Sequence, residues 1–185
     1  MKNNKTPKKP VHLILTVFLA MALTISLNII LMPYYQSPDY GIPQDQYLPL
    51  LGILSPLLEE LLFRFFLYGQ ALSLIKRLWG KESLRLKISL ALISSLVFAL
   101  YHSNPLQSVY AFIMGLFMCL VYETGMGFLS SALFHISANI TALTILTLPV
   151  FNQKATAALI CCCGFILAIL ITPYLCKGIL TGIRE

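Results

Sequence analysis

Residues 11–32 form a run of 22 residues without a charged side chain. A helix needs about 20 apolar residues to span a bilayer, so this run predicts a transmembrane helix. A cleaved signal peptide is the alternative, but its apolar region would have about 7 to 15 residues before a small-residue cleavage site. The run is longer and ends in LMPYY, so we expect an uncleaved first span.

Further apolar runs follow along the chain. Of the 185 residues, 58% are hydrophobic and 11% charged, against about 45–50% apolar and about 25% charged in a soluble domain. No soluble linker interrupts the runs, so residues 11–176 are expected to form one domain. The fold class predicted is an all-α membrane protein of about six transmembrane helices. The expected spans are about residues 11–32, 48–75, 86–103, 106–122, 128–148 and 155–175. Asn104 and Pro105 are expected to end the third span and start the fourth, because proline disfavours helix at the preceding residue and suits a first helical turn.

The basic residues predict the orientation of these spans. The net charge is +6, and the basic side chains cluster in residues 1–10 and in the connection 76–87. This placement fits the positive-inside rule and not nucleic-acid binding, so no nucleic-acid partner is expected. With six spans both termini are cytoplasmic, and residues 1–10 and 177–185 are cytoplasmic tails. The five cysteines have neither a disulfide nor a zinc-site spacing, and packing is their expected role.

Three charged residues interrupt the second run. Glu60 and Arg64 are spaced i, i+4 and share a helix face, whereas Glu59 points about 100° away and has no such partner. Ser55 followed by Pro56 is a helix-start signal, with Ser as the N-cap, and is expected either to restart or to kink the helix. A helix beginning there would place both glutamates near the positive end of its dipole, which favours ionised carboxylates.

Two more polar groups lie in later runs. Phe98 and His102 end the third, and His135 with Asn139 occupies one face of the fifth. Counted at about 1.5 Å per residue, Glu59, His102 and His135 do not lie at one depth, so tilt, a helix break or different span ends must bring them level. Charged and titratable side chains are rare in membranes. The three polar groups, in the second, third and fifth spans, are all explained if they converge on one polar active-site cavity inside the bundle.

These residue types can hydrolyse an amide bond. A glutamate in a site of low dielectric can act as general base on water, and a histidine can share the proton. A second histidine and an asparagine amide can donate hydrogen bonds to the oxyanion.

The three groups resemble the motifs of the CAAX protease and bacteriocin-processing (CPBP, or Abi) intramembrane endopeptidases, which are related to the Rce1-type CAAX prenyl proteases. The family motifs E-E-x-x-x-R, F-x-x-x-H and H-x-x-x-N occur here in order as residues 59–64, 98–102 and 135–139. The resemblance covers about residues 48–142. Phe65 departs from it, because many relatives have glycine after the arginine.

The resemblance implies a glutamate-dependent intramembrane protease. Glu59 and His102 would activate the water, while His135 and Asn139 would form the oxyanion site. The supporting residues would be Glu60, Arg64 and Phe98.

Members of the family are described both as metalloproteases and as metal-independent enzymes. We expect no required cofactor. The alternative is a divalent metal such as zinc on Glu59, His102 and His135.

The expected partners are the lipid bilayer and a peptide or membrane-protein substrate, such as a bacteriocin or pheromone precursor or a self-immunity target. The small size and short basic tail are typical of a bacterial cell-membrane protein, for which a prenylated CAAX substrate is not expected. A non-catalytic immunity or sensor-kinase regulatory protein that keeps the motifs for folding is the alternative. A small transporter is a third possibility, although no internal repeat supports it. The oligomeric state stays open.

Overall fold

The computed structural model describes residues 9–31, 34, 41, 43–80, 83–102, 104–145 and 153–182. These residues contain helices and no strand. The predicted external loop before the second span and the first eight residues of the N-terminal tail lie largely or wholly outside them. The helices longer than one turn, in chain order, are α1 Lys9–Leu31, π1 Tyr47–Leu54, α2 Ser55–Glu60, π2 Leu61–Gln70, α3 Ala71–Trp79, α4 Leu84–Tyr101, α5 Pro105–Thr124, α6 Phe128–Ile145 and α7 Lys154–Gly182, and a single 3-10 turn, Gln44–Gln46, precedes π1.

Among these residues, four helices are long and apolar enough to cross a membrane: α1, α4, α5 and the Lys154–Cys176 part of α7. The shorter apolar stretch Phe128–Thr144 belongs to α6. The chain is therefore an all-helical, multi-pass membrane protein. The Lys154–Cys176 span agrees with the predicted last span, about residues 155–175, and the helix itself continues beyond it to Gly182.

The second predicted span is one helical stretch, residues 47–79, whose hydrogen-bond register changes three times. The π segments on either side of α2 shift the bonding from i−4 to i−5. Ser55 has helical dihedral angles, with φ −59° and ψ −51°, so no helix begins there. The predicted N-cap at Ser55 is therefore wrong. The expected effect of a helix dipole on Glu59 and Glu60 fails with it, because it required a helix that begins at Ser55.

Pro56 is tolerated inside this helix for a specific reason. In the π register Ser55 N–H donates to Leu50 O, and the next bond would run from residue 56 to Leu51. Proline has no N–H to make that bond. Asn139 on α6 replaces it by donating from Nδ2 to Leu51 O at 2.9 Å. The helix therefore continues through Pro56 and is held against α6 at this point.

The turn between α4 and α5 forms as the sequence predicts. Asn104 Oδ1 accepts from Leu106 N at 2.9 Å and from Gln107 N at 3.3 Å, and Pro105 occupies the first helical position. These bonds satisfy N–H groups that a helix start otherwise leaves unpaired. The cap fixes the direction in which α5 leaves His102.

α1 packs between α6 and α7 through small and hydroxyl side chains. Ser26 Oγ donates to Cys161 O at 3.1 Å, and Thr24 Oγ1 lies 3.1 Å from Tyr110 Oη on α5. A Cβ atom added at Gly164 would lie 2.9 Å from Ala22 O and closer still to the Ser26 hydroxyl. Small residues allow this close approach, as is common between membrane helices.

We expect Gly164→Val to lower the melting temperature of the purified protein in detergent, because α1 and α7 must separate. Overpacking of this kind costs about 1–3 kcal/mol. Ala158→Val on the exposed side of α7 is the control and should leave the melting temperature within experimental error. Equal melting temperatures for the two variants would contradict the packing described here.

Candidate active site

Glu59 and Glu60, although adjacent, have different surroundings. The Glu60 side chain is fully buried, whereas that of Glu59 is 15% exposed and lines a pocket. Ser55, one turn earlier, donates a hydrogen bond from Oγ to Glu59 Oε1. The sequence predicted no local partner for Glu59. Ser55, which was expected to cap a helix, is such a partner, and it is uncharged. Glu59 is thus held in place without a cation beside it on its own helix.

Glu60 forms the ion pair that its spacing predicts. Its Oε1 lies 3.0 Å from Arg64 Nη1, and both side chains have no solvent exposure. The guanidinium carbon also lies 4.1 Å from the ring centroid of Phe98, a cation–π distance. The Arg64 nitrogens otherwise make no aligned hydrogen bond within the described residues. The two buried charges therefore pair with each other, and Phe98 lies against the guanidinium.

His135 lies between the two glutamates. Its Nδ1 is 3.0 Å from Glu60 Oε1, and its Nε2 is 3.7 Å from Glu59 Oε2. An ionised carboxylate can only accept, so the ring donates its Nδ1–H to Glu60. This bond turns the Nε2 edge toward Glu59 and the pocket.

His102 follows the last residue of α4. Its Nδ1 lies 2.9 Å from Phe98 O, and a carbonyl can only accept, so this nitrogen carries a hydrogen. The neutral ring then has an unprotonated Nε2. Phe98 holds the ring edge-on with a centroid separation of 4.9 Å. Because His102 also lines the pocket, it offers a fixed hydrogen-bond acceptor there.

Asn139 lines the same pocket one turn after His135. One of its two amide hydrogens is donated to Leu51 O, as described above. The other is available for a second bond. The residue thus has a structural task that the sequence analysis did not predict.

The pocket has a volume of about 130 Å³. Four of the predicted site residues line it together with Phe98, while Glu60 and Arg64 lie behind them. Ala111, Met114 and Met118 on α5 were not predicted as part of its wall, because apolar side chains at helical spacing look like ordinary core residues. Its full lining is Leu51, Ser55, Glu59, Phe98, His102, Gln107, Tyr110, Ala111, Met114, Met118, His135, Ala138 and Asn139.

A metal was the alternative for Glu59, His102 and His135. In the part of the chain that the structure describes, no three His, Cys, Asp or Glu side chains converge closely enough to hold a metal ion. Nδ1 of each of these histidines is held by Glu60 or by Phe98 O, which leaves Nε2 as the ring nitrogen that could face a metal. The spacing of the three side chains in this structure therefore does not fit a metal ion, although their chemistry would, and no step is derived through one.

Comparison with known proteins gives a family for the part of the chain that carries the motifs. A family model described as type II CAAX prenyl endopeptidase Rce1-like matches residues 46–141, just over half of the chain. The match contains all three motifs and almost coincides with the predicted motif-bearing core, residues 48–142. No curated protein and no solved structure matches the chain. The chain belongs to the Rce1-like family of type II CAAX prenyl endopeptidases.

Proposed function

We propose that this protein is an intramembrane endopeptidase that hydrolyses a peptide bond in a membrane-associated peptide or protein. The observation that carries the proposal is that Glu59, His102 and His135, from three different helices, line one pocket. Such a combination of a carboxylate and two imidazoles in an apolar bundle has a chemical use in amide hydrolysis and little use in packing.

Glu59 is the general base of the proposed reaction. Its carboxylate takes one proton from a water molecule while His102 Nε2 accepts a hydrogen bond from the other hydrogen. The water oxygen attacks the carbonyl carbon and forms a tetrahedral intermediate. Glu59 then passes the proton to the amide nitrogen, the C–N bond breaks, and a carboxylic acid and an amine leave. The carboxylate of Glu59 is restored at the end.

His135 and Asn139 receive the oxyanion of that intermediate. Asn139 uses its second amide hydrogen, because the first is held by Leu51 O. A histidine that gives its Nδ1–H to Glu60 can donate from Nε2 only when it is doubly protonated, so the oxyanion role assigns that form to His135. The support residues act through this ring, since Glu60 orients it and Arg64 with Phe98 fixes Glu60.

The bundle is proposed to have six spans, the four apolar helices together with α6 and the helical stretch 47–79. Lys87 Nζ forms an ion pair with Glu123, and His12 Nε2 lies 3.2 Å from Thr124 Oγ1. These contacts bring the start of α1, the start of α4 and the end of α5 to one end of the bundle. This supports a cytoplasmic basic end that carries both tails, residues 1–10 and 177–185, around one domain of residues 11–176.

The substrate is proposed to be a bacterial peptide precursor or a membrane protein, of the bacteriocin, pheromone or self-immunity type. The family description names CAAX prenyl endopeptidases, and a prenylated substrate is the alternative within the same chemistry. Metal independence stays part of the proposal.

We expect His102→Ala to lower kcat/KM by about 10² or more, because the water loses the acceptor that orients it. The assay uses purified protein in liposomes with a library of synthetic apolar peptides, and products are identified by mass spectrometry. His12→Ala is the matched control, since His12 lies outside the pocket, and its kcat/KM should stay within about threefold of wild type. Cleavage by the His102 variant at the wild-type rate would remove His102 from the mechanism. The non-catalytic alternative instead predicts that wild type cleaves nothing.

A further inference from the structure

The half-exposed polar side chains that line the pocket form what we call its mouth. They are Ser55, Glu59, His102, Gln107, Tyr110 and Asn139. The proposed reaction uses Glu59, His102 and Asn139. It gives no task to Gln107, although an amide in an apolar bundle is costly unless its polar atoms have partners.

Most hydrogen-bonding groups of the mouth are already engaged. Ser55 donates its hydroxyl hydrogen to Glu59 Oε1, and Tyr110 Oη lies 3.1 Å from Thr24 Oγ1 on α1. Asn139 gives one amide hydrogen to a main-chain carbonyl, and the proposed reaction uses the other. These groups therefore have little capacity left to bind the rest of a substrate peptide.

Gln107 differs from them because its side-chain amide is unused. Its main-chain N–H donates to Asn104 Oδ1 at 3.3 Å as part of the helix cap. Within the described residues no group forms a hydrogen bond with its side chain, which lines the pocket. A side-chain amide has two N–H donors and a carbonyl acceptor. Gln107 can therefore both donate to and accept from a bound peptide.

The main chain that carries Gln107 is held next to the proposed site. Gln107 lies in the first turn of α5, and the following Ser108 donates from Oγ to His102 O at 2.9 Å. Its Oγ also lies 3.1 Å from Asn104 O. The start of α5 is thus tied to the residue that orients the water in the proposed reaction. A group on this turn keeps a defined position relative to His102, which a binding residue requires.

A substrate inside the membrane needs a partner for its main chain. A helical segment shields its carbonyl carbons, so attack by water requires the segment at the cut to be extended. Opening the helix frees N–H and C=O groups in an apolar site, where unpaired groups are costly. The oxyanion donors serve only the carbonyl that is attacked. The neighbouring part of the main chain therefore needs a group that both donates and accepts.

A side-chain amide has the geometry for this task. In an extended chain the N–H and C=O of one residue point to the same side, as in the hydrogen-bonded pairs of an antiparallel sheet. A primary amide presents an N–H and a C=O side by side and can bond to both. Glu59 and Nε2 of the neutral His102 can only accept. Within the mouth, this pairing is therefore left to Gln107.

We propose that Gln107 binds the main chain of the substrate next to the bond that is cut. Its Nε2 donates to the C=O of one extended residue, and its Oε1 accepts from the N–H of the same residue. This inference rests on the proposed endopeptidase activity. It makes Gln107 a substrate-binding residue outside the three motifs, one that recognises peptide backbone whatever the side chain.

The test uses depsipeptides, in which an ester oxygen replaces one main-chain N–H at a time near the cut while the amide that is cut stays intact. One such ester should lower kcat/KM of wild type by about tenfold, the upper end of the usual effect of one hydrogen bond. Gln107→Leu should lower kcat/KM for the all-amide peptide by at least about tenfold for the same reason. The ester should then cost this variant less than about threefold, because the partner of the lost N–H is already gone.

Gln70→Leu is the matched control, since Gln70 is exposed on π2 and lies outside the pocket. It should keep kcat/KM within about threefold of wild type and retain the full ester effect. The ester effect is a ratio within one protein, so it does not depend on how much of that protein is folded. Gln107→Met removes the amide at nearly the same length and replaces Gln107→Leu if that variant does not fold.

The possible failures differ from one another. Equal ester effects in wild type and Gln107→Leu would show that the amide serves only the fold, and would overturn the inference while leaving the protease intact. Cleavage by Gln107→Leu at the wild-type rate would also overturn it, as would a wild type that tolerates an ester at every position near the cut. No cleavage of the all-amide peptide by wild type, or cleavage that survives Glu59→Gln, would contradict the proposed function, and the inference with it.

Discussion

Replacing Glu59 by glutamine is expected to lower kcat/KM for peptide cleavage by at least about 10³-fold. Loss of a general base typically costs about 10²–10⁴ in rate. Glutamine has nearly the same shape and its carbonyl oxygen can still accept the Ser55 hydrogen bond, so the fold should not change. The measurement is kcat/KM of the purified variant in liposomes, together with its melting temperature.

Glu123→Gln is the matched control for this variant. Glu123 pairs with Lys87 at the end of α5, away from the pocket, and exposed or half-exposed ion pairs contribute only about 0–1 kcal/mol. Its kcat/KM should remain within about threefold of wild type. Equal losses in both variants, or retained cleavage in Glu59→Gln, would remove Glu59 from the role of base.

Replacing Arg64 by methionine is expected to destabilise the protein by about 3–5 kcal/mol, the cost of leaving one buried charge of a pair unpaired. Glu60 would keep its carboxylate with no solvent exposure and lose the guanidinium, so that the hydrogen bond from His135 would be left to hold it. Thermal unfolding in detergent, followed by circular dichroism, measures this loss. Arg77→Met on the exposed surface of α3 is the control and should change stability by less than about 0.5 kcal/mol.

The double variant Glu60→Gln with Arg64→Met separates charge from packing. Removing both charges of a buried pair is often neutral, so at least half of the lost stability should return. The Arg64 variant should thus be much less stable than the double variant. Additive losses would show that the two residues do not act as a pair.

The sequence predicted much of the fold because apolar run length decides where helices can cross a bilayer. The turn at Asn104 and Pro105 was predicted from the proline alone, and the structure has that turn, with Asn104 as an N-cap that was not predicted. The Glu60–Arg64 pair was also predicted, since i, i+4 spacing on one helix determines it. These features depend on residues that are neighbours in the chain.

The predictions that failed depend on contacts between distant residues. Ser55 and Pro56 were interpreted as a helix start, but Asn139, 83 positions after Pro56, supplies the hydrogen bond that Pro56 cannot make. The depth count left Glu59 and His135 apart, whereas their side chains lie 3.7 Å from each other. A depth counted at about 1.5 Å per residue assumes an upright α-helix, so it takes no account of the π segments or of the tilt of one helix relative to another.

The apolar part of the pocket wall had no visible sequence signal of its own. Ala111, Met114, Met118 and Ala138 are the residue types that fill any helical core. Only their position beside the motif residues distinguishes them. Their spacing from Gln107 could have predicted that Ala111, Met114 and Met118 share one face of α5. It could not have predicted that this face lies next to a reactive site.

Direct observation of peptide hydrolysis is the measurement closest to the central claim. Purified protein in liposomes is incubated with the apolar peptide library, with and without a metal chelator, and the products are analysed by mass spectrometry. We predict pairs of fragments whose masses add up to one peptide plus one water, formed equally with the chelator and not formed by Glu59→Gln. The same fragments from Glu59→Gln, or no fragments from wild type, would contradict hydrolysis by water that Glu59 activates.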